Sequence, residues 1–171
     1  MTNFKRHLAA LATGIAGAAL LAGVAFADAA LVYDGGGKFD KSFNEAAYNG
    51  AEKYKAEGGA YQDLEISGDA MREQAIRQFA SRGNSPIVLP GFSWETALKT
   101  VAPEFPDTKF TIIDMVVDKP NIHSVVFKEN EGSYVVGVLA AMASKSKKVG
   151  FVGGMDIPLI RKFGCGYVGG A

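Results

Sequence analysis

The residues with the clearest chemical potential lie between a short apolar run and the start of a helix, in the stretch DGGGKFDKSFN. Asp34 ends the apolar run, three glycines follow it, and Ser42 opens the helix. A carboxylate in this place can accept hydrogen bonds from ligand hydroxyl, amine or ring N–H groups on its two oxygens. The same residue can instead close a turn or cap the loop, and the residues alone leave both roles open.

The glycine loop lacks the residues that a phosphate-binding loop needs. In the pattern Gly-x4-Gly-Lys-Ser, counted from Gly35, Asp40 stands in the place of the second glycine. Asp40 also takes the third glycine place of the dinucleotide pattern Gly-x-Gly-x-x-Gly. Its negative charge, together with that of Asp34, would repel a phosphate. The loop therefore favours an uncharged ligand, and no nucleotide cofactor is predicted.

Phe43 and Asn44 follow in the first turn of the predicted helix. Phe43 falls on the apolar stripe of this helix, so periodicity favours a place in the core. Its position in the first turn also allows the ring to present its face to a planar ligand. Asn44 has no core role there, so we expect its amide to lie in solvent or to point at the ligand.

Asp114 repeats the arrangement of Asp34, because it also ends an apolar strand, and Phe92 follows a third such strand. Parallel strands share one carboxyl edge, and ligands of open α/β sheets bind at that edge. We therefore expect Asp34, Phe92 and Asp114 to converge there and to contact the ligand. Two carboxylates could also catalyse glycoside hydrolysis, but the sequence gives no argument that either of them, or a neighbour, is a buried proton donor.

The strands and helices that must position these residues alternate along the chain with short links. Strands are predicted at residues 30–33, 61–66, 86–89, 109–113, 123–127 and 149–152, and helices at 42–57, 70–82, 94–102, 132–143 and from 159. This alternation predicts an α/β fold with a doubly wound parallel sheet. Ser42 and Glu45 form a capping-box pattern at the first helix. The fourth helix is apolar nearly all round, so we expect it to be buried or half buried.

The first 27 residues have the features of a cleavable export signal. Lys5 and Arg6 precede an apolar run from Leu8 to Ala25, and Ala25-Phe26-Ala27 is a small-x-small cleavage site. A membrane anchor is the alternative, since about 20 apolar residues can span a bilayer. No cysteine follows the run to carry a lipid. We expect a periplasmic protein with cleavage near Ala27.

Charge and residue content argue against several classes of function. The chain has 18 basic and 18 acidic residues, and without residues 1–27 it keeps 16 basic and 18 acidic ones, a net charge of −2. No basic surplus is present to hold a polyphosphate backbone, so nucleic acid is not an expected partner. No cluster of His, Cys and carboxylates has metal-ligand spacing, and no Gly-x-Ser-x-Gly elbow occurs. We therefore expect neither a metal nor a serine nucleophile.

The stretch VYDGGGKFDKSFNEAAYNGAEKY is similar to the opening of the basic membrane protein-type, PnrA-like nucleoside-binding solute receptors of ABC importers. The specific motifs are Asp-Lys-Ser-Phe-Asn at residues 40–44 and Gly-Gly-Met-x-Ile-Pro at residues 153–158. The likeness covers almost all of the chain after residue 27. It implies a type I periplasmic-binding-protein fold, with a purine nucleoside or related small molecule in a cleft between two α/β lobes. It also implies an ABC permease as membrane partner.

The resemblance gives roles to individual residues as well. It implies that Asp34 bonds the ligand, that Phe43 stacks on the base and that Asn44 assists. Asp114 would face the base or the sugar edge, and Met155 would line the opposite wall from the second lobe. These roles belong to a receptor and not to an enzyme.

The resemblance also implies a domain organisation. After the signal at residues 1–27, we expect a first α/β lobe at residues 28–144, then the linker and first strand and helix of a second lobe at residues 145–171. Family members are about twice as long, so the chain is expected to end within the second lobe. Half a cleft cannot close on a ligand. Two alternatives stay open: a sugar-binding receptor of the same fold, and an exported nucleoside hydrolase.

Overall fold

The computed structural model describes residues 28–171, so the predicted export signal lies outside the described residues. The strands are β1 Ala29–Tyr33, β2 Tyr61–Glu65, β3 Ile87–Pro90, β4 Phe110–Ile113 and β5 Ile122–Val125, and the helices are α1 Phe43–Ala56, α2 Arg72–Ser81, α3 Glu95–Val101, α4 Glu129–Ala143 and α5 Pro158–Gly170. Short 3₁₀ turns at Asp69–Met71 and Phe92–Trp94 lead into α2 and α3. Each element predicted before residue 144 is found close to its predicted bounds. No helix in the described range is long and apolar enough to cross a membrane.

The strands form one parallel sheet in the order β2-β1-β3-β4-β5. Leu31 of β1 lies between Asp63 of β2 and Val88 of β3. Helices α1, α2 and α3 make the first three crossovers, as the pairing of parallel strands requires. Because β1, the first strand of the described residues, lies inside the sheet and later strands extend it in both directions, the predicted doubly wound α/β fold is confirmed.

The hydrophobic core lies between one face of the sheet and helices α2 and α3. Alternate strand residues point into it, because side chains along a strand alternate between the two faces. Its large and fully buried members include Ile76, Ile87, Leu89, Trp94, Leu98, Val101, Phe110 and Ile112. On the opposite face, α1 leaves an open apolar groove of about 510 Å³, whose lining includes Leu31, Ala51 and Val88.

Helices α4 and α5 pack against each other through glycines. A Cβ atom at Gly137 would collide with the backbone of Tyr167, and one at Gly170 would collide with the backbone of Tyr134. Only one face of α4 is covered in this way, and Met142 is 74% exposed. The predicted burial of this helix is therefore wrong, because α4 carries apolar side chains on more faces than α5 can cover.

The predicted strand at residues 149–152 is not formed. A strand needs backbone partners, and this segment pairs with neither β2 nor β5, the edge strands of the described sheet. Phe151 instead packs on Tyr167 of α5, with ring centroids 6.0 Å apart. The predicted lobe boundary at residue 144 stays a prediction. It places α4 in the first lobe and α5 in the second, and these two helices pack against each other.

Candidate ligand-binding site

The carboxyl ends of β1, β3 and β4 lie on one edge of the sheet because these strands are parallel. Asp34, the Gly91-Phe92 pair and Asp114 directly follow these ends. β3 separates β1 from β4, so Asp34 and Asp114 follow strands whose axes are about 10 Å apart. The structure thus brings the predicted residues of three strand ends to one edge. This edge, with residues 34–44, 91–93 and 114, is called the rim below.

Asp34 is held by partners from three parts of the chain. Its Oδ1 accepts a hydrogen bond from the Gly35 N–H at 2.7 Å. The same oxygen lies 2.6 Å from Arg72 Nη1 in an ion pair. Its Oδ2 accepts a hydrogen bond from the hydroxyl of Ser93. The side chain is 25% exposed, so the carboxylate is fixed in orientation but still reachable.

Gly91 makes room for this arrangement. Its backbone φ of +112° lies in a region that favours glycine. A Cβ atom at this position would also lie 3.0 Å from Asp34 Oδ2. The exit loop of β3 therefore needs glycine here for two separate reasons, backbone conformation and contact with the carboxylate.

Asn44 stabilises the glycine loop from inside. Its side chain is buried, with 2% exposure. Its Nδ2 donates to the carbonyl oxygens of Asp34 at 3.1 Å and Gly37 at 3.0 Å, and its Oδ1 accepts from the Asp34 N–H at 3.1 Å. The expectation that this amide lies in solvent is wrong, because the side chain is buried and both of its N–H donors are used within the chain; its contact with a ligand stays a prediction. Asn44 is a positioning residue for the loop.

Asp40, and not Ser42, caps the start of α1. Asp40 Oδ1 accepts from the N–H groups of Ser42 at 2.8 Å and Glu45 at 3.1 Å, and Oδ2 accepts from the Asn44 N–H at 3.1 Å. Glu45 reaches back to the N–H of Lys41 at 3.0 Å, while the Ser42 hydroxyl makes no capping bond. The capping-box prediction is therefore wrong in its cap residue. Desolvation acts to raise the pKa of Asp40, but the three backbone donors outweigh it and hold that pKa below its usual range.

Phe43 is the first residue of α1, and its side chain is 38% exposed. The core role that periodicity favours is wrong, because the first turn of α1 lies at the rim and not over the sheet. An exposed ring at this place is available to stack on a ligand, and that role stays a prediction. Phe92 is half-buried in the 3₁₀ turn after β3, and its contact with a ligand is likewise a prediction.

Asp114 has an unusual backbone and an unsatisfied side chain. Its φ is +69°, and its N–H donates to the carbonyl oxygen of Val125 at 2.8 Å. Its Oδ1 is buried and accepts no hydrogen bond from the described residues. Burial raises the pKa of Asp114, the charge of Glu129 adds to the rise, and Lys162 opposes it. A ligand N–H or O–H group would find an unused acceptor here.

Met155 lies in a different part of the surface. It is 55% exposed and lines an open cavity of about 780 Å³ together with Phe151, Ile160 and Arg161. None of the predicted rim residues lines this cavity. Its place on the opposite wall of a cleft stays a prediction.

No direct sequence signal points to Arg72 and Ser93, the two side chains that contact Asp34. An acidic residue at a strand end indicates that a cation should be sought nearby. Three arginines, at positions 72, 77 and 82, lie in or directly after α2, and spacing alone does not choose among them. Among residues 28–171, no three His, Cys, Asp or Glu side chains come together as a possible metal site.

Comparisons with known proteins agree on one family. The family model described as "ABC transporter substrate-binding protein PnrA-like" matches residues 26–171. The chain is 33% identical over 186 residues to the ABC transporter nucleoside-binding protein BmpA of Lactococcus lactis subsp. cremoris, which covers 98% of this chain and 53% of that protein. It is 40% identical over 151 residues to an uncharacterized lipoprotein of Pyrococcus furiosus, with 83% and 37% of the two chains covered.

Solved structures give the same result. An ABC transporter solute-binding protein from Aeropyrum pernix K1 matches with a TM-score of 0.75 and 33% identity, over 84% of this chain and 42% of that one. Another from Conexibacter woesei matches with a TM-score of 0.63 and 29% identity, over 84% and 49% of the two chains. The chain spans about half the length, or less, of these relatives. It belongs to the PnrA-like family of ABC transporter substrate-binding proteins and has the periplasmic-binding fold.

Proposed function

We propose that this chain provides one wall of a binding site for a neutral, flat, hydroxyl-bearing molecule, and that a purine nucleoside is its ligand. The observation that carries this proposal is the placement of Asp34 and Asp114 on one rim, beside the exposed ring of Phe43. The Lactococcus lactis relative is named as a nucleoside-binding protein, which supports the choice of ligand.

The rim supplies the two kinds of contact that a nucleoside needs. The ring of Phe43 offers a face for stacking, which is worth about 1–3 kcal/mol for a nucleic acid base. Asp114 offers a half-buried carboxylate whose buried Oδ1 has no partner among the described residues, and a ribose hydroxyl or a base N–H group would become its donor if ligand binding opens access to it. We propose that a ligand held in this way by stacking and hydrogen bonds is bound and released unchanged.

We further propose that the protein is exported to the periplasm and delivers its ligand to an ABC permease. The family of ABC transporter substrate-binding proteins supports this partner. The predicted export signal at residues 1–27 supports the compartment.

The test is a titration of the ¹⁵N-labelled chain with inosine, adenosine, ribose and galactose at millimolar concentrations, followed by NMR. We expect saturable shifts of the Gly35 and Asn44 amides with the nucleosides and much smaller ones with the sugars. One wall leaves much of the ligand in solvent, so the binding is expected to be weak and to give no clear thermal shift. Tighter binding of ribose or galactose would favour a sugar receptor, and release of free base would favour a hydrolase.

Phe43→Ala gives the matched test of stacking. We expect a loss of nucleoside affinity of about 1–3 kcal/mol, at least fivefold. Tyr54→Ala is the control, because Tyr54 also presents an exposed ring from α1 but lies near the other end of the helix, 49% exposed. Equal affinities of the two variants would contradict the role of Phe43.

A further inference from the structure

A guanidinium group with little solvent contact lies behind Asp34. Arg72 is the first residue of α2, and its side chain is 11% exposed. Its guanidinium carbon lies 4.8 Å from the centre of the Trp94 ring, a cation–π contact. Trp94 is itself fully buried and donates its Nε1–H to the carbonyl oxygen of Pro90 at 3.1 Å. Arg72 is therefore held in place by a side chain that cannot move away.

The charge of Asp34 is compensated by this group. Arg72 Nη1 lies 2.6 Å from Asp34 Oδ1, and the remaining partners of the carboxylate, Gly35 N–H and the Ser93 hydroxyl, are neutral donors. Arg72 Nη2 also donates to Asp69 Oδ1 at 2.8 Å, but the Asp69 side chain is 90% exposed and its charge is screened by water. Asp34 and Arg72 together bring no net charge to the rim.

We propose that Arg72 is a specificity-determining residue, whose ion pair with Asp34 makes the β1 end of the rim accept neutral hydroxyl or amide groups and discriminate against cationic ligands. An unpaired carboxylate would attract an ammonium or a protonated base. When a carboxylate is already paired with a fixed guanidinium, a cationic ligand group gains little binding free energy from it, because this group would also be repelled by the guanidinium. This inference rests on the proposed function, because it concerns the ligand of the same site.

The test compares adenosine with two cationic analogues of the same size: 5′-amino-5′-deoxyadenosine, charged on the sugar, and 1-methyladenosine, charged on the base. Each is titrated into the ¹⁵N-labelled chain at neutral pH, and the ratio of dissociation constants is measured. The wild-type chain is expected to bind adenosine at least as tightly as either analogue. In Arg72→Met, which keeps the apolar stem over Trp94, we expect the ratio to move toward the cations by about tenfold, the size of a partly screened charge interaction.

Arg72→Lys should restore the wild-type ratio of dissociation constants, because lysine again places a positive charge beside Asp34. Arg77→Met is the matched control, since Arg77 lies on the same helix but pairs with Glu73 and Glu104 and not with Asp34. An Arg72→Met variant that loses affinity for all three ligands alike, with an unchanged ratio, would show that Arg72 only supports the fold. If that variant fails to fold, a wild-type chain that prefers either cation to adenosine overturns the inference. A wild-type chain that binds none of the three overturns the proposed function and this inference with it.

Discussion

The replacement Asn44→Ala tests whether one buried amide holds the glycine loop at the rim. The three hydrogen bonds of the Asn44 side chain, to Asp34 N–H, Asp34 O and Gly37 O, have lengths of 3.0–3.1 Å. A net contribution of about 1 kcal/mol for each gives a total of about 3 kcal/mol. For a domain of this size, that loss corresponds to a fall in Tm of about 6–12 °C.

Unfolding in urea is a suitable assay, because Trp94 is the only tryptophan of the chain and is fully buried. Its fluorescence reports the unfolding of the core in which it is buried, and a shifted midpoint with an unchanged m-value measures global stability. Asn49→Ala is the matched control: Asn49 lies in the same helix, on its exposed side. Alanine is the better helix former, so this control should leave the free energy of unfolding unchanged or slightly higher.

Asn44→Asp separates hydrogen bonding from shape. Aspartate has almost the same shape as asparagine, but an ionised carboxylate only accepts, so it would face two carbonyl oxygens without a donor. We expect a loss of stability at neutral pH at least as large as that of the alanine variant, with partial recovery in acid. The reasoning fails if Asn44→Ala lowers the free energy of unfolding by no more than Asn49→Ala does. The loop would then be held by its outer contacts alone, such as the Lys38 N–H to Glu65 Oε2 at 2.9 Å.

Three further replacements test the rim and the cap by the same assay. Asp114→Asn keeps the tolerance for positive φ and removes a carboxyl group that can ionise. The pKa of this carboxyl group is raised by burial and by the charge of Glu129, while Lys162 opposes the rise. Since the folded state binds the proton more tightly, wild-type stability rises as pH falls from that raised pKa toward the ordinary 3.8. The variant should therefore be more stable than the wild type at neutral pH and lose this advantage in acid; a gain that does not depend on pH would contradict this role of the carboxyl group. Gly91→Ala should lower stability by about 1–3 kcal/mol through strain and contact with Asp34, and an unchanged urea midpoint would show that neither matters. Asp40→Ala should shift the midpoint more than Ser42→Ala, and the reverse order would restore serine as the cap.

The regular elements of residues 28–143 could be predicted because their signals are local. β1, β3 and β4 are short, mainly apolar runs, α1 and α2 carry periodic apolar faces, and most changes from strand to helix or back are marked by glycine, proline or asparagine. The shared edge of Asp34 and Asp114 also followed from the sequence, since parallel strands leave no other arrangement. Neither the regular elements nor this shared edge depends on individual side-chain contacts.

The contacts within the site could not be predicted in the same way. Asp40, Ser42 and Asn44 are all common near helix starts, and any of them could have been the cap. The choice depends on how the loop approaches α1, which the structure shows and spacing does not. The exposure of Phe43 has the same origin, because helical periodicity does not tell where the covered part of a helix begins.

The wrong predictions for α4 and for residues 149–152 have a different cause. Residues 149–152 have the composition of a buried strand, and α4 has the composition of a buried helix, but both need partners to become so. Within the described residues, α5 supplies one face for α4 and no strand pairs with 149–152. A segment with the composition of a buried strand or helix indicates that another element covers it. Whether the segment forms that strand, or is buried as that helix, depends on the covering element.

The two strand-end carboxylates are not equivalent, and their difference indicates which one recognises the ligand. Asp34 already meets an N–H group, a hydroxyl and a guanidinium, so of the roughly four acceptor sites on its two oxygens one is left for a ligand. Asp114 has a buried oxygen with no donor among the described residues, an arrangement that costs about 1–3 kcal/mol when the oxygen stays unsatisfied. A ligand donor that reaches this oxygen would recover that free energy, whereas a donor at Asp34 would meet a carboxylate that already has partners on both oxygens. If this reasoning holds, Asp114→Asn weakens nucleoside binding more than Asp34→Asn does, although Asp34 has the larger set of contacts.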